Sequence, residues 1–256
     1  MSNDPRAEHN GDEIYVGYLP VPPMQMRFLR TGATVLAFLF AAGAVAWAIS
    51  YRSPGNGIWN TVQVREFTGV IHARPYAMIR IVEGKGPPRT LLLVQEGKRG
   101  AAEIGAAFDG QAARVRGHVL ERDGRRILEL AEPTRPISLD QDTIDSLTFD
   151  CKSMGPITLS GEIIDPKCYF GAMKPGEGKV HKECATLCIA GGIPPMFLVR
   201  HPGTEPDYYL LADPSGRAAD RAILPYVADS VEVAGEVESC DDLLILRLNV
   251  DSIRRR

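Results

Sequence analysis

Residues Thr90–Leu130 read TLLLVQEGKRGAAEIGAAFDGQAARVRGHVLERDGRRILEL, and residues Tyr208–Leu248 read YYLLADPSGRAADRAILPYVADSVEVAGEVESCDDLLILRL. The two align without a gap at an offset of 118, so that Leu92 meets Leu210, Gly117 meets Gly235 and Leu130 meets Leu248. Upstream, Phe67–Ile71 (FTGVI) matches Leu159–Ile163 (LSGEI) at an offset of 92. The shortfall of 26 residues is an insertion in the second copy. An ungapped run of this length indicates duplication.

Each copy has the same order of signals. Val62–Val82 alternates and is broken at Gly69 and Arg74-Pro75; Thr90–Val94 is a short apolar strand. Ala101–Phe108 reads as a short helix, and Ala113–Leu120 and Ile127–Leu130 flank the hairpin signal Asp123-Gly124. Three strands, a helix and a closing hairpin are what a five-stranded OB-type barrel requires. The chain is therefore expected to be mainly β, with two tandem OB-like barrels at 58–137 and 146–254.

The insertion, about 166–194, carries the chemistry. It contains three of the five cysteines, in the stretch GEIIDPKCYFGAMKPGEGKVHKECATLCIAGGIPPMFLV (Gly161–Val199). Gly178–Ala190 reads as a helix stopped by Gly191-Gly192. His181, Cys184 and Cys188 fall on one face of it, with Cys168 across a Gly/Pro/Lys-rich loop. Three thiols and an imidazole suit a tetrahedral ion, zinc or copper. The spacing C-x12-H-x2-C-x3-C matches no common finger, and the absence of C-x-x-C-H argues against covalent haem. Asp165, before Pro166, reads as a turn former or as a carboxylate that orients His181. Tyr169 reads as a residue behind the ligands that caps the barrel end.

The insertion is poor in large apolar residues, so its ordering is expected to need a staple. A disulfide from Cys168 to Cys184 or Cys188 is the alternative to a metal. Cys184 and Cys188 themselves, four apart on a helix, have nearly parallel Cβ vectors and pair poorly. Cys184 near a helix start also suits a thiol-redox nucleophile resolved by Cys168 or Cys188. Cys151 and Cys240 remain, either as a disulfide or as free thiols.

This stretch resembles a motif of poorly characterised membrane-anchored or exported bacterial proteins with OB-like domains related to the anticodon-binding fold. In these, D-x-x-C-Y is followed by H-x-x-C-A-x-x-C-x-x-G-x-P; the matching positions are Asp165, Cys168, Tyr169, His181, Cys184, Ala185, Cys188 and Gly191, with Pro194 one residue later than the motif places its proline. The resemblance covers roughly 40 residues. It implies an exported location and a Cys/His site, and supplies no activity.

Ahead of the barrels, Thr31–Ile49 holds 19 residues without a charge. At 1.5 Å per residue this is about the thickness of a hydrocarbon core. A transmembrane helix is expected at 28–50, after a polar tail at 1–27. Within that tail Tyr15 and Tyr18 read as interfacial anchors or as a docking segment. Arg27 and Arg30 precede the run and Arg52 follows it, which favours an inside N-terminus and barrels in the periplasm. A cleaved signal peptide competes, but the run exceeds the usual signal core.

Residues 58–137 carry a net charge of +4 and residues 138–256 one of −7, so a concentrated basic face and a nucleic-acid partner are not expected. Neither a phosphate loop, a dinucleotide fingerprint nor a nucleophile elbow occurs. The expected role is non-enzymatic: a metal-binding accessory or assembly protein of a membrane redox complex, with membrane or periplasmic subunits as partners. A thiol-redox protein, or an OB-type binding module with a disulfide-stapled loop, are the alternatives.

Overall fold

A computed structural model describes residues 21–50, 55–131, 137–139 and 147–256. The expected roles of Tyr15, Tyr18 and Arg52 lie outside the described residues. Helix α1 runs over Pro23–Ser50, starting five residues before the expected 28, with Pro23 in the first helical position that proline favours. None of its residues is buried against protein, and it is long and apolar enough to cross a membrane.

The first barrel contains β1 (Ile58–Trp59), β2 (Arg65–His72), β3 (Met78–Ile81), β4 (Arg89–Gln95), β5 (Arg99–Gly100), helix α2 (Ala102–Ala106), β6 (Ala112–Arg122), β7 (Arg125–Leu130) and β8 (Ile137–Leu139). β2, β3, β4, β7 and β6 close on themselves in that order, with β4–β7 as the parallel pair. The second barrel contains β9 (Cys151–Ile164), helix α3 (Lys182–Ala190), β10 (Met196–Val199), β11 (Asp207–Ala212), β12 (Ser230–Cys240), β13 (Leu243–Leu248) and β14 (Arg254–Arg255). It closes as β9, β10, β11, β13 and β12, again with one parallel pair, β11–β13.

The duplication holds at the level of register. Leu92 faces Ile127 across β4–β7, and Leu210 faces Ile245 across β11–β13. Gly117 faces Leu130, and Gly235 faces Leu248. A Cβ on Gly69 would lie 1.9 Å from the Arg80 carbonyl oxygen, and one on Gly161 would lie 2.2 Å from that of Leu198. Equivalent glycines thus allow the same close strand crossing in both barrels. The turn Asp123-Gly124 takes positive φ at both residues, as a two-residue hairpin demands. Cys151 and Cys240, opposite one another on β9 and β12, form a disulfide.

Each barrel has its own core. A third apolar cluster forms a seam between them. Equivalent positions of the two barrels contribute to it: Met78 and Met196, Leu92 and Leu210, Ile127 and Ile245. Polar contacts close the seam. Thr90 donates through its backbone N–H and its hydroxyl to the Asp242 carboxylate (2.8 and 2.7 Å), and the Tyr208 hydroxyl donates to Asp123 (2.7 Å). The Tyr76 hydroxyl donates to the Leu211 carbonyl at 3.0 Å and accepts from the Ala219 N–H at 2.8 Å.

The insertion lies between the first two strands of the second barrel, residues 165–195, where the first barrel has only residues 73–77. Two aromatic rings anchor it in the seam. Tyr169 and Phe170 are each 1 % exposed in the seam cluster, beside Tyr208. Burying two such rings contributes roughly 2–3 kcal/mol each. Packing into the seam therefore contributes to ordering the insertion.

Candidate metal centre

The chain around Asp165 turns sharply. The carboxylate oxygen Oδ1 of Asp165 accepts from the backbone N–H of Lys167 (2.9 Å) and of Cys168 (3.4 Å). This is the aspartate-led turn expected from the Asp-Pro pair. It fixes Cys168 at the start of a single wide turn, Cys168–Ala172. The expected helix at Gly178–Ala190 is a short 3-10 turn over Lys179–His181 that passes into α3. His181 is the N-cap of α3, and Cys184 and Cys188 lie one turn apart along it.

Cys168, Cys184 and Cys188 are free thiols. Their three sulfurs lie within 4.8 Å of one another, with 4.0 Å between those of Cys168 and Cys184. A second set shares Cys168: its sulfur, an Asp165 carboxylate oxygen and an imidazole nitrogen of His181 also lie within 4.8 Å of one another. All four expected ligands are therefore in one neighbourhood. His181, however, groups with Asp165 rather than with Cys184 and Cys188. Asp165 is more than a turn former, because its second oxygen, Oδ2, is buried without a partner, as is Nε2 of His181.

Two lysines enter this neighbourhood, and the sequence gives no sign of either role. Lys98, on the turn between β4 and β5, places Nζ 2.9 Å from the Cys184 sulfur and 3.3 Å from that of Cys188. It also donates to the Cys184 carbonyl at 3.2 Å. Lys167 donates to the Gln95 and Gly97 carbonyls at 2.8 and 2.7 Å and pairs with the buried Glu129 at 3.4 Å. Both bind the insertion to the first barrel. The backbone closes the same gap: the Gly100 N–H donates to the Gly191 carbonyl at 3.0 Å. A Cβ on Gly191 would lie 1.8 Å from the Lys98 carbonyl oxygen.

Electrostatics divide the site. A hydrogen bond from Cys168, helped by Lys98, lowers Cys188 below the ordinary thiol range despite its burial. That same bond, burial and the Asp165 carboxylate raise Cys168. Hydrogen bonds to Cys184 and Cys188 raise Lys98, which remains an ammonium. Burial lowers His181, so its imidazole is neutral at pH 7 and available as a ligand. Burial raises Glu129, against the opposing pull of Lys167.

Tyr169 stands apart from the ligands. Arg122 lies 3.7 Å over its ring and donates to its backbone carbonyl, and Arg200 donates to its hydroxyl at 3.3 Å. Its contacts are those of a seam residue.

No family model, curated protein or solved structure matches this chain. The chemistry of the site therefore rests on its own geometry. Three thiols, one imidazole and one carboxylate, buried or half-buried, form a donor set that fits a thiophilic ion.

Proposed function

We propose that this protein is a membrane-anchored, metal-binding accessory or assembly factor of a membrane redox complex, without an activity of its own. Cys168, Cys184, Cys188 and His181 hold zinc or copper. The observation that carries this reading is the sorting of the cysteines. Cys151 and Cys240 are joined, while the other three gather as free thiols around a short helix. A disulfide belongs to an oxidising compartment, which supports barrels on the periplasmic side and α1 as an uncleaved inner-membrane anchor. The resemblance of the Asp165–Pro194 motif to exported bacterial proteins points the same way.

The full chain, purified in detergent and analysed for bound metal, tests the proposal. At least one zinc or copper ion per chain is expected. A metal-free, folded protein that takes up neither ion with its thiols reduced would remove it.

A thiol-redox role is the second reading. It is favoured by the 4.0 Å approach of the Cys168 and Cys184 sulfurs and by the cation beside Cys184. In that case the purified chain would catalyse reduction of a disulfide substrate at the expense of a dithiol, and Cys184→Ser would abolish the turnover.

A further inference from the structure

The two ligand sets share one atom and divide the remaining donors. The Cys184 and Cys188 sulfurs have a cationic neighbour, the Lys98 ammonium. Asp165 Oδ2 and His181 Nε2 have no hydrogen-bond partner among the described residues, although Asp165 is fully buried and His181 is 3 % exposed. Two polar atoms shut away from water without a hydrogen-bond partner are costly, and their two side chains gather with the Cys168 sulfur in one cluster, which points to a ligand. The Asp165 side chain is also held in place. Its Oδ1 accepts from two backbone N–H groups, which fixes a carboxylate that has one oxygen within 4.8 Å of the Cys168 sulfur and of an imidazole nitrogen of His181.

We infer that the site takes two metal ions bridged by the Cys168 thiolate: one among Cys168, Cys184 and Cys188, the other among Asp165, Cys168 and His181. This rests on the metal-binding reading above and extends it. A single tetrahedral Cys3His ion would leave Asp165 Oδ2 buried and unpaired and would require His181 to leave its place beside Asp165. Two ions satisfy every donor where it stands. The first pocket, all sulfur, suits a soft ion such as Cu(I) or a zinc ion completed by an exogenous ligand. The second, with one donor each of sulfur, nitrogen and oxygen, suits zinc. Metal–sulfur bonds of about 2.3 Å place ions on a shared thiolate roughly 3.5–4 Å apart, the usual separation in two-metal sites. Binding releases the thiol proton of Cys168 to solvent and forms two metal–sulfur bonds at that atom.

Titration of the full chain in detergent, with its three free thiols reduced, tests this. The probes are Co(II), read by its sulfur charge-transfer and ligand-field absorption, and Zn(II), read by elemental analysis. Two equivalents per chain are expected. The pair Asp165→Asn and His181→Ala should lose one equivalent and keep the thiolate charge-transfer band. The pair Cys184→Ser and Cys188→Ser should lose the other equivalent. A single equivalent, with a spectrum altered both by His181→Ala and by Cys188→Ser, would overturn the two-ion inference while leaving the metal reading intact. No uptake by a chain whose circular dichroism shows it folded would overturn both. The stoichiometry of the unaltered protein decides the matter even where a variant fails to fold.

Discussion

At the scale of single residues, Lys98 is the group whose removal should be felt most at the centre. It comes from the other barrel, 86 positions from Cys184, and sets a positive charge against two sulfurs. Unit charges about 4 Å apart interact by about 1 kcal/mol in water and about 4 kcal/mol near a protein surface. The ammonium favours the Cys188 thiolate and so eases loss of the proton that metal binding must displace; Lys98→Met should therefore shift metal uptake to higher pH and weaken it at pH 7, and Lys98→Arg should restore much of it. Competition against a chromophoric chelator measures both, and equal affinities across the three proteins would show that the ammonium is a bystander. Gly191 is the steric counterpart. Its missing Cβ lets α3 end against the Lys98 carbonyl, so Gly191→Ala must push the insertion off the first barrel. Overpacking of this kind costs about 1–3 kcal/mol. The melting temperature should fall, whereas Gly86→Ala, whose Cβ would meet one atom at 3.3 Å, should leave it nearly unchanged.

At the scale of elements, the duplicated strands impose the same registers twice, so that each strand of the first barrel forecasts its partner in the second. Alternation, the Asp123-Gly124 turn and the equivalent glycines made that forecast readable, because each reflects local backbone geometry. The cysteine stripe was readable for the same reason: Cys184 and Cys188 share a helix face by spacing alone. Lys98, Lys167 and the burial of Tyr169 were not. They depend on how two barrels meet, and no local pattern encodes a contact between residues 70–90 positions apart. The apolar surface that packs against the insertion was hidden for the same reason, since it belongs to the seam. The disulfide is a separate clamp on β9 and β12. It links residues 89 apart, and closing a loop of that length is worth about 4 kcal/mol. Cys240→Ser should lower the denaturation midpoint by a corresponding amount under non-reducing conditions and leave metal stoichiometry unchanged. A midpoint equal to that of the parent would mean that the bond is absent from the folded protein.

At the scale of the whole barrel pair, the seam decides whether the centre can report to anything beyond itself. The insertion belongs by sequence to the second barrel, yet Lys98, Gly100 and the carbonyls of Gln95 and Gly97, all from the first barrel, contact it. A ligand that binds only the folded site stabilises whatever must be folded for the site to exist, by about 4 kcal/mol at a thousand times its dissociation constant. Here that includes the turn after β4, because Lys98 on that turn contacts the Cys184 and Cys188 sulfurs. Adding zinc to the metal-free chain should therefore slow amide exchange in two places at once, in α3 and in the Glu96–Gly100 turn of the other barrel. Tyr76→Phe should weaken that coupling. It deletes the hydroxyl that serves both the Leu211 carbonyl and the Ala219 N–H across the seam, leaving two backbone groups short of a partner at about 1–3 kcal/mol each. Hydrogen exchange with and without zinc, on the parent and on this variant, separates the alternatives. Protection confined to α3 would mean that the first barrel is a passive neighbour. Protection that spreads across the seam, and shrinks in the variant, would make the barrel pair a single body through which metal occupancy is communicated.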